Sequence, residues 1–205
     1  MELLKCNNMI PENLTYEQLI KDMKACEQTK GMNVLEHGSM VHYYYTDLMD
    51  HLTNADELEY VWKIPSWVYD NSNTIIEECC QKDTMKEYME LHDCGKPYCH
   101  IVDDDGKRHF PNHATVSHEV YCKLFPEKKI IAQLIRMDMD VHCLKGEDVE
   151  KFSQHILAIS LLISALCEIH ANASMFGGIE STSFKIKWKQ IDKRGRQVWA
   201  AMPNR

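Results

Sequence analysis

The side chains in this sequence that could do chemistry are histidines and carboxylates. His92 and Asp93 are adjacent in LHDCGKP, at the end of a helical stretch. One offers an imidazole nitrogen and the other a carboxylate oxygen, so both can reach one divalent cation. Gly95-Lys96-Pro97 behind them stops the helix and leaves a lysine facing the same cleft. Upstream, His37 stands in VLEHGSMV, on a helix whose apolar face carries Val34 and Val41. A histidine on such a face is either a satisfied core side chain or a ligand, and the residues alone leave both open. No Gly-rich phosphate loop, serine nucleophile elbow or Cys-His pair in recognisable context accompanies them.

His37 in VLEHGSMV, then LHDCGKP, then a hairpin and HFPNHATVSHEVY, together resemble the HD-domain metal-dependent phosphohydrolases. They look closest to the HD domain appended to some bacterial tRNA nucleotidyltransferases. The similarity covers residues 33–173. The resemblance implies that His37, His92 and Asp93 are metal ligands. His113, at the start of the next helix, would bind a second ion or contact substrate phosphate. Lys96 would neutralise a phosphate as a point charge. The implied cofactor is one or two divalent ions: Mn, Fe, Co, Ni, Zn or Mg. Two positions depart from the family pattern. Asp138, in LIRMDMD, stands where the family often has a histidine, and His170, in CEIHANA, stands at the position of its closing aspartate. Both residue types bind divalent metals. Asp138 is the favoured fourth ligand, because an idle carboxylate at a helix C-terminus is unfavourable; His170 is the second choice.

Other side chains fall into place around these. Asp93 would also orient the attacking water, with Lys96 as its catalytic partner. His118 points roughly 140° away from His113 on a helix, so it would touch substrate rather than share an ion. His109, in the hairpin, would face the cleft, and Arg136 or Lys185 would clamp phosphate oxygens. Trp62, Trp67 or Trp188 could stack a base. His42, His51, His100, His142 and His155 read as structural or surface residues.

The elements that must position these residues are mostly helical. Of 205 residues, 44% are hydrophobic and 26% charged, a globular composition with a net charge of −8. That excludes a whole-protein basic footprint for duplex nucleic acid. The best candidate for a membrane span, Ile156–Cys167, has twelve uncharged residues between His155 and Glu168, where a span needs about 20. The opening MELLKCNNMIPENL lacks a basic region followed by an apolar run. With nine cysteines, an odd number, and none in CxxC spacing, free thiols in a reducing, cytoplasmic compartment are expected.

Helices are expected from Thr15, with Gln18 as a capping-box partner, and over 33–51, 74–78, 83–93, 113–125, 127–140 and 147–171. Residues 60–73 read as an aromatic loop broken at Pro65. CHIV-DDDG-KRHF reads as a hairpin around an acid-Gly turn. In SFKIKWKQIDKRGRQVWA, Phe184, Ile186 and Trp188 alternate with Lys185, Lys187 and Lys189, which predicts a second hairpin with one basic face. Residues 174–205 carry seven basic side chains, Arg205 among them, and two acidic ones; that is +5, against −13 for the rest. The expected architecture is a mostly α, HD-domain helical bundle over 1–173, with one or two small β-hairpins and a basic C-terminal hairpin or tail, 174–205, packed on it.

The expected function is metal-dependent hydrolysis of a nucleotide or related phosphate ester through a metal-bound hydroxide, in the nucleotidase or phosphodiesterase class. The expected partners are a small phosphorylated substrate, or single-stranded nucleic acid, with a homodimer in keeping with the family and no membrane. Two alternatives stay open: a degenerate HD domain that binds a nucleotide or regulates a partner, and a di-iron HD-type oxygenase.

Overall fold

The computed structural model describes residues 10–202. α1 (Tyr16–Ala25) leads through a small antiparallel ribbon, β1 (Glu27–Thr29) and β2 (Met32–Asn33), into α2 (Val34–Asn54). Then come α3 (Ser66–Asp70), α4 (Ser72–Glu78), α5 (Lys82–Leu91) and α6 (Lys96–Cys99). A second ribbon pairs β3 (Ile101–Val102) with β4 (Arg108–His109). The chain closes with α7 (His113–Leu124), α8 (Lys129–Arg136), α9 (Asp140–Cys143), α10 (Val149–Ser153), α11 (Ala158–Ala171) and α12 (Thr182–Ala201). The fold is therefore mostly α with small hairpins. No helix among the described residues is long and apolar enough to cross a membrane, and the described cysteines are all free. Most of the N-terminal segment read above, and Arg205, lie outside the described residues.

The chain forms two compact units, each made of two separate stretches of sequence. One takes the residues up to Ser39 and Glu87–Met137; the other takes Met40–Lys86 and the residues from Asp138 on. In the first, α7 packs on α6 and α8, and α1 packs on α6. The Tyr98 hydroxyl on α6 donates to Asp22 on α1 at 2.8 Å. In the second, α12 packs on α3, α9, α10 and α11, and α11 also meets α4. α11 is buried along nearly its whole length, from Ala158 to Ala171. Residues 174–202 belong to this second unit.

Local chemistry explains where the helices begin. Thr15 caps α1 by accepting from the Gln18 N–H at 3.2 Å; the Gln18 side chain itself turns to Asp22 instead of closing the box. α2 has the complete reciprocal box: Asn33 Oδ1 accepts from the Glu36 N–H, and Glu36 Oε2 accepts from the Asn33 N–H, both at 2.9 Å. That box sets the phase of α2 one residue before His37. Asn112 sits in the left-handed region, at φ 55, which asparagine tolerates, and it starts α7 with His113 as its first residue.

Three expectations are corrected. The C-terminal hairpin is a helix. In α12 the buried residues are Phe184, Ile191, Asp192, Gly195 and Val198, a spacing of seven, one, three and three that belongs to a helical stripe. The short Phe-Lys-Ile-Lys-Trp alternation mimics a strand over five residues only, and Ile186 is 54% exposed. Gly195 lies inside this helix, and a Cβ there would sit 2.3 Å from the Trp67 ring, so it is glycine because Trp67 packs on it. The helix expected over 147–171 is broken. α10 ends at Ser153 and α11 starts at Ala158, and His155 Nδ1 accepts from the Leu157 N–H at 3.1 Å in the break. The aromatic loop is shorter than expected, since Pro65 caps α3.

Candidate metal centre

α2, the turn after α5, and the start of α7 bring His37, His92, Asp93 and His113 into the first unit's interior. The turn is tight. Cys94 N–H donates to Leu91 O and Lys96 N–H donates to Asp93 O. α5 thus stops before His92, and α6 begins at Lys96 with Pro97 in its first turn, where a missing N–H does no harm. Gly95 is required by closeness: its N–H donates to Ser117 Oγ at 2.9 Å, and a Cβ would sit 2.2 Å from the Ser117 nitrogen.

Asp93 is the centre of the site and is 1% exposed. Its Oδ2 lies 3.2 Å from His92 Nε2 and 3.6 Å from His37 Nε2. Lys96 Nζ sits on the same oxygen at 2.5 Å and also donates to Gln28 Oε1 at 2.9 Å. His113 Nε2 stands 3.7 Å from Oδ1, and Oδ1 makes no hydrogen bond among the described residues. Burial pushes the Asp93 carboxyl up, but His92 and Lys96 beside it outweigh that and hold it well below the usual carboxylate range.

The histidines are oriented as ligands are. His92 Nδ1 lies 2.7 Å from Met89 O. A carbonyl only accepts, so Nδ1 carries a proton and Nε2 is the nitrogen turned to Asp93. His113 repeats the arrangement, with Nδ1 3.1 Å from Phe110 O. Backbone carbonyls holding the far nitrogen of a ligating imidazole fix its tautomer and direction. With the imidazoles neutral, nitrogen lone pairs would face the carboxylate oxygens at such distances, and a cation between them would satisfy both. His37, His92 and Asp93 each offer an atom within 4.8 Å of the others, and among the described residues they form the one such trio of metal-capable groups. Two nitrogens and one oxygen suit a borderline divalent ion, so the residues present fit the implied metal.

The remaining candidates have the following surroundings. Asp138 is buried in the second unit, where its charge acts on His142; it is not a member of the trio. His170 has both ring nitrogens committed: Nδ1 donates to Leu166 O at 2.7 Å and Nε2 accepts from the Lys63 N–H at 3.1 Å. Its ring packs against Trp62 and Phe184. His170 thus ties the Lys63 backbone to α11 within the second unit. His118 contacts Cys122 Sγ at 3.5 Å and stands near Arg136, which with burial lowers its pKa. His109 pairs with Asp103 at 2.8 Å, and Lys185 with Glu180 at 2.7 Å. Trp62 donates to Asp47, and Trp188 to Lys63 O; Trp67 is buried. Sequence reasoning missed Gln28, which carries no motif and meets Lys96 only through the β1–β2 ribbon. It also missed Gly38, which a glycine inside a helix beside His37 should have signalled.

No family model, no curated protein and no solved structure matches this chain.

Proposed function

We propose that the chain is a metal-dependent phosphohydrolase of the HD type, acting on a nucleotide or related phosphate ester. The observation that carries this is the buried Asp93 carboxylate. One oxygen faces the imidazole nitrogens of His37 and His92, and the other is buried without a hydrogen bond among the described residues. A divalent ion held by His37, His92 and Asp93 would supply positive charge to phosphoryl oxygens and acidify a water at neutral pH.

The chain's own residues then have distinct tasks. Asp93, kept ionised, is a strong acceptor and a weak base, so Oδ1 orients a water more readily than it removes its proton. His113 is the more suitable base: its ring is part-exposed, with side-chain exposure of 21%, and Nε2 carries the lone pair. Lys96, 6% exposed, brings a fixed positive charge against Asp93 and is the group that would meet a phosphate oxygen as the ester is cleaved. Gln28 holds that ammonium in place from the ribbon. Hydrolysis would add water across the phosphorus–oxygen bond, releasing phosphate and the alcohol. The free thiols are in keeping with a cytoplasmic setting.

A binding module without turnover is the second reading. One observation favours it: His170, a candidate to complete the ligand set, is committed to Leu166 and Lys63.

The test is to purify the protein without chelator, measure metal per chain, and screen phosphate release from nucleoside mono- and triphosphates and cyclic nucleotides with Mn, Co, Ni and Mg. Metal-dependent release that disappears in His92→Ala/Asp93→Ala is expected. Bound metal with no release of phosphate would favour the binding module; about two irons per chain with no hydrolysis would favour an oxygenase. No metal at all would sink the proposal.

A further inference from the structure

Gly38 follows His37 on α2, inside the helix and not at its end. Glycine in a helix interior lowers stability relative to alanine, so its presence there needs a cause. The structure supplies one. A Cβ at position 38 would lie 2.5 Å from Glu90 O and 2.8 Å from Met89 O. Both atoms are backbone carbonyls in the last turn of α5, which cannot turn aside as a flexible side chain would. α2 and the end of α5 therefore touch backbone to backbone beside the trio.

One of those carbonyls has a second task. Met89 O accepts the Nδ1 proton of His92 at 2.7 Å, and that bond fixes which His92 nitrogen faces Asp93. A methyl group at position 38 has two ways out. Either α2 backs away and draws His37 from Asp93, now 3.6 Å off, or the last turn of α5 rotates and Met89 O leaves His92. Each acts on a group of the trio.

We propose that Gly38 is a positioning residue: through the Met89 carbonyl it sets the tautomer and direction of His92, and through the helix approach it sets the reach of His37. Its consequence for metal affinity rests on the metal-centre reading above; its consequence for the His92 tautomer does not.

The experiment compares Gly38→Ala with Gly195→Ala in the full chain. Gly195 is an equally crowded glycine, pressed on the Trp67 ring in the second unit, and serves as the control for lost packing alone. The His92 tautomer is read in metal-free protein from long-range proton–nitrogen correlations above the histidine titration range. Mn(II) and Co(II) affinity and thermal stability are read on the same samples. In the wild type, the proton is expected on Nδ1. Gly38→Ala is expected to lose that preference and to bind metal about tenfold more weakly or worse, the usual effect of disturbing a ligand's outer partner. Gly195→Ala is expected to lose stability while keeping the His92 tautomer and the metal affinity.

A folded Gly38→Ala with the wild-type tautomer and affinity overturns the proposal. If Gly38→Ala needs help to fold, the readings are taken in trimethylamine N-oxide, which favours the compact state; failure to fold there, while Gly195→Ala folds, reduces Gly38 to plain packing and also overturns it. A wild type with the proton on Nδ1, lost in Gly38→Ala, that takes up no metal sinks the metal reading and leaves the role of Gly38 standing.

Discussion

His170 shows how one side chain can fit a motif position and still serve the fold. Its Nε2 accepts from the Lys63 N–H, an arrangement open only to the neutral ring, because a proton on Nε2 would face another proton. Burial accordingly pushes its pKa down from 6.5 to about 4. The unfolded chain takes up a proton near 6.5 and the folded chain only near 4. The stabilisation is therefore complete above that upper value and is lost as pH falls through the window. Its size is about 3 kcal/mol, at 1.36 kcal/mol per unit. Thermal midpoints measured against pH are expected to fall across this window in the wild type. In His170→Gln the fall should be shallower, from a lower starting point at neutral pH. An unchanged slope would remove His170 as its cause. His142 has the opposite sign: burial lowers its pKa, but Glu168 at 2.8 Å outweighs this and raises it, so its contribution is present at low pH and lost as pH rises.

At the scale of elements, α12 decides between two periods written into the same residues. As a strand, Ile186 would share the apolar face with Phe184 and Trp188. As a helix, it points to solvent, while Ile191 is 1% exposed. The two isoleucines therefore make a sharp comparison in denaturant melts. Ile186→Lys is expected to change stability by no more than about 0.5 kcal/mol, while Ile191→Ala should lose roughly 2–5 kcal/mol. At the helix start, Ser181 Oγ accepts from the Phe184 N–H at 3.1 Å, and Ser181→Ala should lose about 1 kcal/mol. A strand has no such cap, so a neutral Ser181→Ala together with a costly Ile186→Lys would contradict the helix.

At the scale of the whole molecule, the candidate centre ties together segments far apart in sequence. His37 comes from α2, Asp93 from the turn after α5, and His113 from α7. A cation bound there favours the folded chain by mass action. At a free concentration 100-fold above Kd the gain is about 2.7 kcal/mol, which corresponds to a rise of several degrees in Tm for a chain of this size. Chelator-treated protein is expected to melt lower than metal-loaded protein, with the difference absent in His92→Ala/Asp93→Ala. Equal midpoints at saturating Mn, Co, Ni and Zn would count against the site.

Much of the fold was legible from local signals. The cap at Thr15, the helical spacing after Asn33 and the acid-Gly turn of the β3–β4 ribbon each act within a few residues, so the chain declares them without its neighbours. His92-Asp93 and Lys96 were singled out by type and spacing, and His37 and His113 by the resemblance to HD domains; the structure places all of them around one carboxylate. What the sequence alone could not decide depends on contacts between distant residues. The period of α12 is settled by the faces that pack on it, since a five-residue alternation is compatible with either element. The commitment of His170 is settled by a backbone N–H 107 residues away. The meaning of Gly38 is settled by the α5 carbonyls that leave no room for a methyl group. Spacing along a chain determines which residues can share a face; only packing determines which partners occupy it.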